Sequence, residues 1–384
     1  MKLLVEDLGE FRRLYLFYIG EKQMKRLGIL TGGGDCPGLN PIINAVVKTA
    51  IKKYGMSVVG FKNGYKGLYN NETVELTLEN TSGIIHRGGT ILFSSNKDNL
   101  FDYLVPDENG NMVKKNVSHV GVENIKKNNI DAMIIIGGDG TLTSGRDFAR
   151  LGVPVIGVPK TIDNDLASTD TTFGFDTAVG VACEAIDRIY TTAESHHRII
   201  TVEIMGRYAG FLGLSSGIAG GADAILIPEI PFDINKVAEH IKGRIKEGKE
   251  FSVVAVAEGA KPITGEVSVL KVIEGSPDPI RLGGIAAKVA DDLEKLVGLE
   301  ARATVLGHIQ RGGTPSSADR ILSTRYGVKA VELAIEGKFG NMVCLKDNVM
   351  TYDSLENVIG ANKAVDPNGE LVQAAKAIGI CFGD

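Results

Sequence analysis

Pro159-Lys160-Thr161-Ile162-Asp163-Asn164-Asp165 follows directly on the apolar run Val153 to Val158. A short apolar run bounded by prolines reads as a buried strand, and the residues after it set two carboxylates and a hydroxyl within five positions. In open α/β sheets ligands bind beyond the carboxyl ends of the strands, so acidic residues thrown off such an end suit metal organisation or proton transfer. Thr, Asp and Asn are also preferred helix starters. Taken alone, the stretch therefore reads equally as a site or as a helix N-cap cluster, and the rest of the chain has to decide.

Outward from it, strand-like and helix-like segments alternate, the signature of mostly parallel sheets covered by helices. Leu27–Leu30 leads through Thr31-Gly32-Gly33-Gly34-Asp35 into a helical pattern ending at Lys53, and Ser57–Phe61 is the next strand. A polar segment around Asn70–Asn80, the loop Arg87-Gly88-Gly89-Thr90 and a Lys/Asn-rich stretch then reach a helix at Val120–Asn128. Asp131–Ile136 runs into Gly137-Gly138-Asp139-Gly140-Thr141 and a helix to Arg150. A second α/β series follows, with helices at Ala178–Ser195, Ile234–Lys246 and Arg281–Val297. Its strands are Ile199–Ile204, Ala224–Ile227, Phe251–Ala257 and Ala303–Leu306. The helix Ser316–Glu336, the strand Asn341–Leu345 and a helical tail from Leu371 to Ile378 close the pattern. No solenoid repeat or low-complexity linker interrupts it, so the two lobes are expected to be closely coupled, with the chain crossing between them more than once.

A chain of 384 residues exceeds one ordinary core. Its 43% hydrophobic and 23% charged content describes a globular protein. Glycine is the outlier: 48 residues, well above the usual share of about 7% and without a collagen period. Net charge −5 leaves no electrostatic footprint for nucleic acid. Cys36, Cys183, Cys344 and Cys381 are scattered and form no C-x-x-C pair, which fits a reducing cytosol and no structural zinc. No run reaches membrane-span length, so a cytoplasmic protein with no membrane or nucleic-acid partner is expected. Residues 1–23 lack the continuous apolar core of a signal peptide and read as an extension before Met24, a candidate natural start.

Three glycine-rich loops carry the chemistry. Gly33-Gly34 opens a helix, where bare backbone N–H groups can approach phosphate oxygens. Arg87-Gly88-Gly89 adds a planar guanidinium fork suited to phosphate. Gly138-Asp139-Gly140-Thr141 adds a carboxylate suited to Mg²⁺, a hard ion that takes one or two protein carboxylates plus substrate phosphates. Each loop alone is also a tight turn. With Asp163 and Asp165 they supply the phosphate cradle, metal ligand and base that phosphoryl transfer needs together. No G-x-x-x-x-G-K-[ST] is present, and no G-x-G-x-x-G follows the first strand. In the second lobe Arg198, Arg207, Arg302, His308 and Arg311 lie beside predicted strand ends and suit a phosphorylated, polyhydroxylated small molecule. Glu258 at another strand end suits sugar hydroxyls.

The segments GILTGGGDCPGLN, RGGT, IIGGDGT, PKTIDND, SHHR, EIMGRYAG, AEGA and RATVLGHIQRGG, in this order from residue 25 to about 345, resemble the 6-phosphofructokinase family. The resemblance implies an α/β protein of two Rossmann-like lobes with mostly parallel sheets, the active site in the cleft between them. It implies Mg²⁺-dependent transfer of a phosphoryl group to the 1-hydroxyl of fructose 6-phosphate. The donor lobe is expected over 24–174 plus about 312–350, and the fructose 6-phosphate lobe over 175–311 plus about 351–384. On matching positions, Asp163 takes the base role, with Thr161 and Asp165 flanking it. Asp139 is the metal carboxylate. Gly33, Gly34, Arg87, Gly88, Gly138, Gly140, Thr141 and Lys160 fall on donor positions, and Met205, Gly206, Arg207, Glu258, His308 and Arg311 on sugar-phosphate positions. Arg198 and Arg302 match arginines that reach the sugar phosphate from a neighbouring subunit, which implies a homo-oligomer, dimer or tetramer, with composite sites.

ATP-dependent and pyrophosphate-dependent members of that family tend to differ at the positions of Gly140 and Lys160. Glycine at the first leaves room for the inner phosphate and nucleoside of ATP, where an aspartate would crowd them, so ATP is the expected donor. Lys160 is the discordant residue, accompanying pyrophosphate use but also a subgroup of ATP users. At the effector positions Arg188 and Lys249 are retained, whereas Asn44 and Glu247 replace an arginine and a lysine, so control by anionic effectors is expected to be weak. Retention of Asp139, Asp163 and Arg207 argues against a non-catalytic regulatory subunit. PKTIDND, MGR and GHIQRGG are foreign to the nicotinamide-dinucleotide or lipid kinases that share GGDGT.

Overall fold

The computed structural model describes residues 24–265, 267–272 and 280–384; the expected extension 1–23 lies outside them. In chain order the first lobe begins with β1 (Arg26–Thr31), α1 (Leu39–Tyr54), β2 (Ser57–Phe61), α2 (Gly64–Asn70) and β3 (Thr73–Leu76). A small hairpin of β4 (Tyr103–Pro106) and β5 (Met112–Lys115) precedes α3 (Ser118–Lys127), β6 (Ala132–Gly137), α4 (Asp139–Arg150) and β7 (Val155–Pro159). The 22-residue α5 (Phe175–His196) leads into β8 (Ile199–Ile204), α6 (Phe211–Ala219), β9 (Ala224–Leu226), α7 (Ile234–Lys246) and β10 (Ser252–Ala257). After these come β11 (Val269–Val272), β12 (Ile280–Leu282), α8 (Ile285–Val297), β13 (Ala301–Val305) and a 3₁₀ turn over Gly307–Arg311. Then α9 (Ser317–Ile335), β14 (Asn341–Lys346), β15 (Val349–Ser354), α10 (Leu355–Val358) and α11 (Glu370–Ala377) complete the chain.

Seven strands form the first sheet in the order β15-β14-β7-β6-β1-β2-β3, parallel except for the edges β3 and β15. Four parallel strands form the second, β13-β8-β10-β9. Cys381 bridges to Ala224 and extends its edge. The mixed α/β, largely parallel architecture expected from the alternation is the one found. Parallel strands are buried on both faces and so read as unbroken apolar runs. β6 (AMIIIG) and β10 (SVVAVA) are buried at every position. On β6, Ile134 and Ile136 face α1 and α9, while Met133 and Ile135 face α2, α3 and α4. Truncating a fully buried isoleucine such as Ile134 to alanine costs about 2–5 kcal/mol.

One core cluster runs from that first face through Ala178, Ala182 and Ile186 of α5 to Ile200, Val202 and Ile204 of β8, so the two lobes share a core. The joint is also capped. Buried Asp319 of α9 accepts hydrogen bonds from the backbone of Gly174 and Thr177, each at 2.8 Å, satisfying free N–H groups at the start of α5.

Three local expectations needed tertiary information. The helix expected from Arg281 starts at Ile285, because Gly283 and Gly284, both at positive φ, separate it from β12, which pairs antiparallel with β11. The polar segment after Asn70 contains β3, whose edge position leaves it largely without the apolar alternation of a covered strand. The Lys/Asn-rich stretch holds the β4–β5 hairpin, with inner faces only partly covered.

Candidate active site

β1, β6 and β7 lie side by side, so the three loops that leave their carboxyl ends share one rim of the first sheet. The loop after β1 carries Gly33 and Gly34. The loop after β6 carries Gly138, Asp139 and Gly140, with Asp139 the first residue of α4. Pro159 to Asp165 leaves β7. A fourth segment folds over this rim: Gly33 donates its N–H to the Ser95 carbonyl at 2.9 Å, and the Ser94 hydroxyl donates to the Gly33 carbonyl at 2.5 Å. A cleft of about 630 Å³ opens there, lined by Gly33, Gly34, Asp35, Asn63, Thr90 and residues 93 to 97.

The Arg87-Gly88-Gly89 loop is pinned by Asn40, whose amide donates to the carbonyls of Arg87 and Gly88 and accepts from Ile91. A Cβ on Gly88 would stand 2.2 Å from the Gly313 carbonyl oxygen, a collision with backbone that only glycine avoids. Gly88 thus lets the Arg87-Gly88-Gly89 loop lie against the Gly312-Gly313 end of the opposing loop. A Cβ on Gly140, by contrast, meets nothing within 4 Å. Thr141 is buried beneath the rim, its side chain beside Gly32 and Gly137 and its carbonyl accepting from the Tyr65 hydroxyl at 2.8 Å.

Lys160 is 4% exposed, and its ammonium donates to the Gly34 carbonyl. Burial, reinforced by the Arg311 guanidinium, pushes its pKa down, opposed by Cys36, Asp163 and Asp35. The hydroxyl of Thr161 accepts from the Asp163 N–H at 3.0 Å, fixing the turn. Asp163 is 5% exposed, and its Oδ1 has no hydrogen-bond partner. A buried carboxylate oxygen without a partner is costly and signals a group held for something else. Burial, then the charges of Asp163 and Asp139, raises Asp165 to about 6, with Arg207 opposing. Three carboxylates therefore lie within electrostatic reach of one another.

Across the cleft, Met205, Gly206 and Arg207 follow β8 and Glu258 follows β10. The Glu258 carboxylate accepts from the N–H groups of Gly206 and Arg207 at 3.2 and 2.9 Å. Burial, then the facing charge of Asp163, raises its pKa. His308 and Arg311 sit on the 3₁₀ turn after β13, His308 exposed and Arg311 reaching back to the Asp35 carbonyl at 3.4 Å. Sequence reasoning had set Arg311 among sugar-phosphate residues. In this chain it also touches the loop after β1.

Arg198 and Arg302 are not brought to this cleft. They stand at the amino ends of β8 and β13, the opposite end of those strands, about 20 Å from the carboxyl end for Arg198 and about 10 Å for Arg302 at the usual rise per strand residue. Both pair there with Glu300, Arg198 at 2.7 Å. Sequence reasoning missed residues 93 to 97 as cleft lining. The only local signal is Phe93, an aromatic before the polar run SSNKDN, which the structure holds at φ 57° and 57% exposed.

A sequence profile of the family described as phosphofructokinase matches residues 26–334. The chain belongs to the phosphofructokinase family. It is 66% identical over 362 residues to the ATP-dependent 6-phosphofructokinase 2 of Clostridium perfringens, covering 94% of this chain and 99% of that one. With the ATP-dependent 6-phosphofructokinase of Chloroflexus aurantiacus it shares 47% identity over 94% of this chain and 98% of that one. A pyrophosphate–fructose 6-phosphate 1-phosphotransferase of Streptomyces coelicolor is 45% identical over 360 residues, with 93% of this chain and 100% of that one covered. Among solved structures, phosphofructokinase from Saccharomyces cerevisiae superposes with a TM-score of 0.74 at 29% identity over 87% of this chain; the chain spans 44% of that longer one. The family's fold accounts for the two adjoining parallel sheets, and no described helix is long and apolar enough to cross a membrane.

Proposed function

We propose that the protein is an ATP-dependent 6-phosphofructokinase of the cytoplasm that converts D-fructose 6-phosphate and ATP to fructose 1,6-bisphosphate and ADP. The single observation that carries the reading is the buried, unpartnered Oδ1 of Asp163 in a crowd of carboxylates, between a glycine-lined rim and a basic second lobe. The substrate's 1-hydroxyl oxygen forms a bond to the γ-phosphorus of ATP as the bond to the bridging oxygen of ADP breaks. The hydroxyl proton passes to the Asp163 carboxylate. An ordinary aspartate is too weak a base to remove that proton beforehand. It accepts the proton as the new bond forms, since a loose transition state asks chiefly for positioning and charge neutralisation.

The donor takes the rim of the first sheet, with Gly33, Gly34, Arg87, Gly88, Gly138, Gly140, Thr141 and Lys160 around it. The sugar phosphate takes Met205, Gly206, Arg207, Glu258, His308 and Arg311. Arg198 and Arg302, at the amino ends of β8 and β13, serve the site of a second copy in a homo-oligomer. Residues 24–174 plus about 312–350 form the donor lobe, and 175–311 plus about 351–384 the sugar lobe.

Among the described residues no three His, Cys, Asp or Glu side chains converge as a metal cluster of their own. That fits Mg²⁺, which arrives with donor phosphates and takes only one or two protein carboxylates. Asp139 would hold it, with Asp165 close by; when bound it supplies neutralisation of phosphate charge. The open space beside Gly140 favours ATP over pyrophosphate, which would leave Lys160 supporting the Gly34 carbonyl. Weak effector control has support in Asn44, which is buried and spends its amide on the Thr81 carbonyl at 2.6 Å. Assaying the purified protein with fructose 6-phosphate and Mg-ATP, or with Mg-pyrophosphate, tests the reading. Turnover with ATP is expected, and turnover with pyrophosphate alone would overturn the donor assignment.

A further inference from the structure

The residues after α10 lie beyond the part of the chain that the family profile matches, yet they run along the back of the catalytic loop. Gly360 donates its N–H to Asp139 Oδ1 at 3.0 Å. Asn362 forms a β-bridge with Leu166, and the Lys363 N–H donates to the Asp165 carbonyl at 2.8 Å. The Lys363 ammonium then donates to the carbonyls of Thr169 and Asp170, each at 2.8 Å, and to Asn164 Oδ1 at 3.2 Å. It also stands 5.3 Å from the ring centre of Phe211, the first residue of α6. Two residues on, the Val365 N–H donates to Glu229 Oε1 at 2.9 Å, an oxygen that also receives the Gly210 N–H. Within six residues the segment touches the metal carboxylate, the loop of the base and the sugar-lobe turn after Arg207.

We infer that Gly360–Val365 is a positioning strap for phosphoryl transfer and that Lys363 is its anchoring residue. The inference rests on the kinase reading above. Asn164 sits at φ 55°, a left-handed conformation that asparagine adopts more readily than other non-glycine residues and that hydrogen bonds to its side chain hold in place. Lys363 shares that constraint with Thr172, whose N–H donates to the same Asn164 oxygen at 3.0 Å: its ammonium ties the Asn164 side chain to two carbonyls five and six positions further on. Asp163 and Asp165 flank Asn164 on either side. Fixing the middle residue therefore fixes the direction in which both carboxylates leave the backbone. Lys363 touches no substrate position; beyond its contact with the Phe211 ring it acts through this loop.

Replacing Lys363 with methionine keeps an unbranched stem of similar reach, one heavy atom shorter, and removes the donors. In the full-length protein, assayed with fructose 6-phosphate and Mg-ATP at a temperature where the variant is fully folded by circular dichroism, kcat is expected to fall roughly ten- to hundredfold. Both KM values should stay within about threefold, as for a change felt in the transition state alone. A wild-type kcat in the folded variant overturns the inference, as does a loss confined to KM or one that follows only the folded fraction. If the methionine variant does not fold, Lys363→Leu, which also removes every donor, is judged by the same criteria. The wild-type protein run alongside separates the two levels: no wild-type turnover defeats the kinase reading and this inference with it, whereas an active wild type and an equally active variant defeat the strap alone.

Discussion

Replacing Gly140 with aspartate should cost the protein its use of ATP while leaving the fold intact. Gly140 lies in the first turn of α4, exposed, and a Cβ there meets nothing within 4 Å, so the new side chain builds without displacing a neighbour. Near a helix amino terminus an added carboxylate is favourable by about 0.3–1 kcal/mol, so the melting temperature should hold or rise slightly. At the donor the sign reverses. A carboxylate about 5 Å from a phosphate oxygen, at an effective dielectric constant of about 20, is repelled by roughly 3 kcal/mol per unit charge. Converted at about 1.4 kcal/mol per decade, that is about a hundredfold in kcat/KM for ATP. Pyrophosphate lacks the inner phosphate and nucleoside that the new carboxylate would crowd, so its kcat/KM should fall less. The assay is initial-rate kinetics with each donor at saturating fructose 6-phosphate, with thermal unfolding in parallel. A folded variant with unchanged ATP kinetics would refute the steric and electrostatic account of donor choice.

Asp163→Asn keeps the size of the side chain but removes the proton acceptor, and kcat should fall by ~10²–10⁴-fold, the usual worth of a positioned base; near-wild-type turnover in single-turnover assays removes Asp163 from that role. Arg198→Ala should raise KM for fructose 6-phosphate by an order of magnitude or more with little change in melting temperature, since its visible partner here is the partly exposed Glu300; an unchanged KM argues against a shared site. Burial lowers the pKa of Lys363 to about 8, below its unfolded value of about 10.4. The cost of carrying that buried charge is fully present below pH 8 and is relieved as pH rises toward 10. Relative to Lys363→Met, the wild type should therefore gain stability over that window. Parallel denaturation curves at pH 7 and 9.5 check this, and a constant difference contradicts it.

Much of this protein was legible along the chain because its logic is local. Parallel strands buried on both faces must be unbroken apolar runs, so β6, β7, β8 and β10 announced themselves. The glycine and acidic clusters fell at their carboxyl ends because the backbone must turn there, and because ligand chemistry in such sheets gathers there. The opening stretch Pro159 to Asp165 shows both the reach and the limit of that logic. Its composition admitted a helix cap or a site, and the motifs around it favoured the site. Only the fold makes Thr161 a brace for the Asp163 backbone and leaves Asp163 Oδ1 buried without a partner.

What the tertiary structure alone decided are relations between residues far apart in the chain. Gly88 must be glycine because Gly313 crosses it, more than two hundred positions away. Arg198 and Arg302 look in sequence like further members of one basic site, yet strand direction carries them to the amino ends of β8 and β13. Lys363 resembles any surface lysine until the chain returns beneath the loop after β7 and sets its ammonium against three oxygens. Periodicity and spacing encode which face of an element is buried, whereas a hydrogen bond between distant segments depends on how the elements are stacked. The sequence by itself therefore determined the class of fold and the chemistry on offer, and the packing of the two lobes decided which of those groups meet.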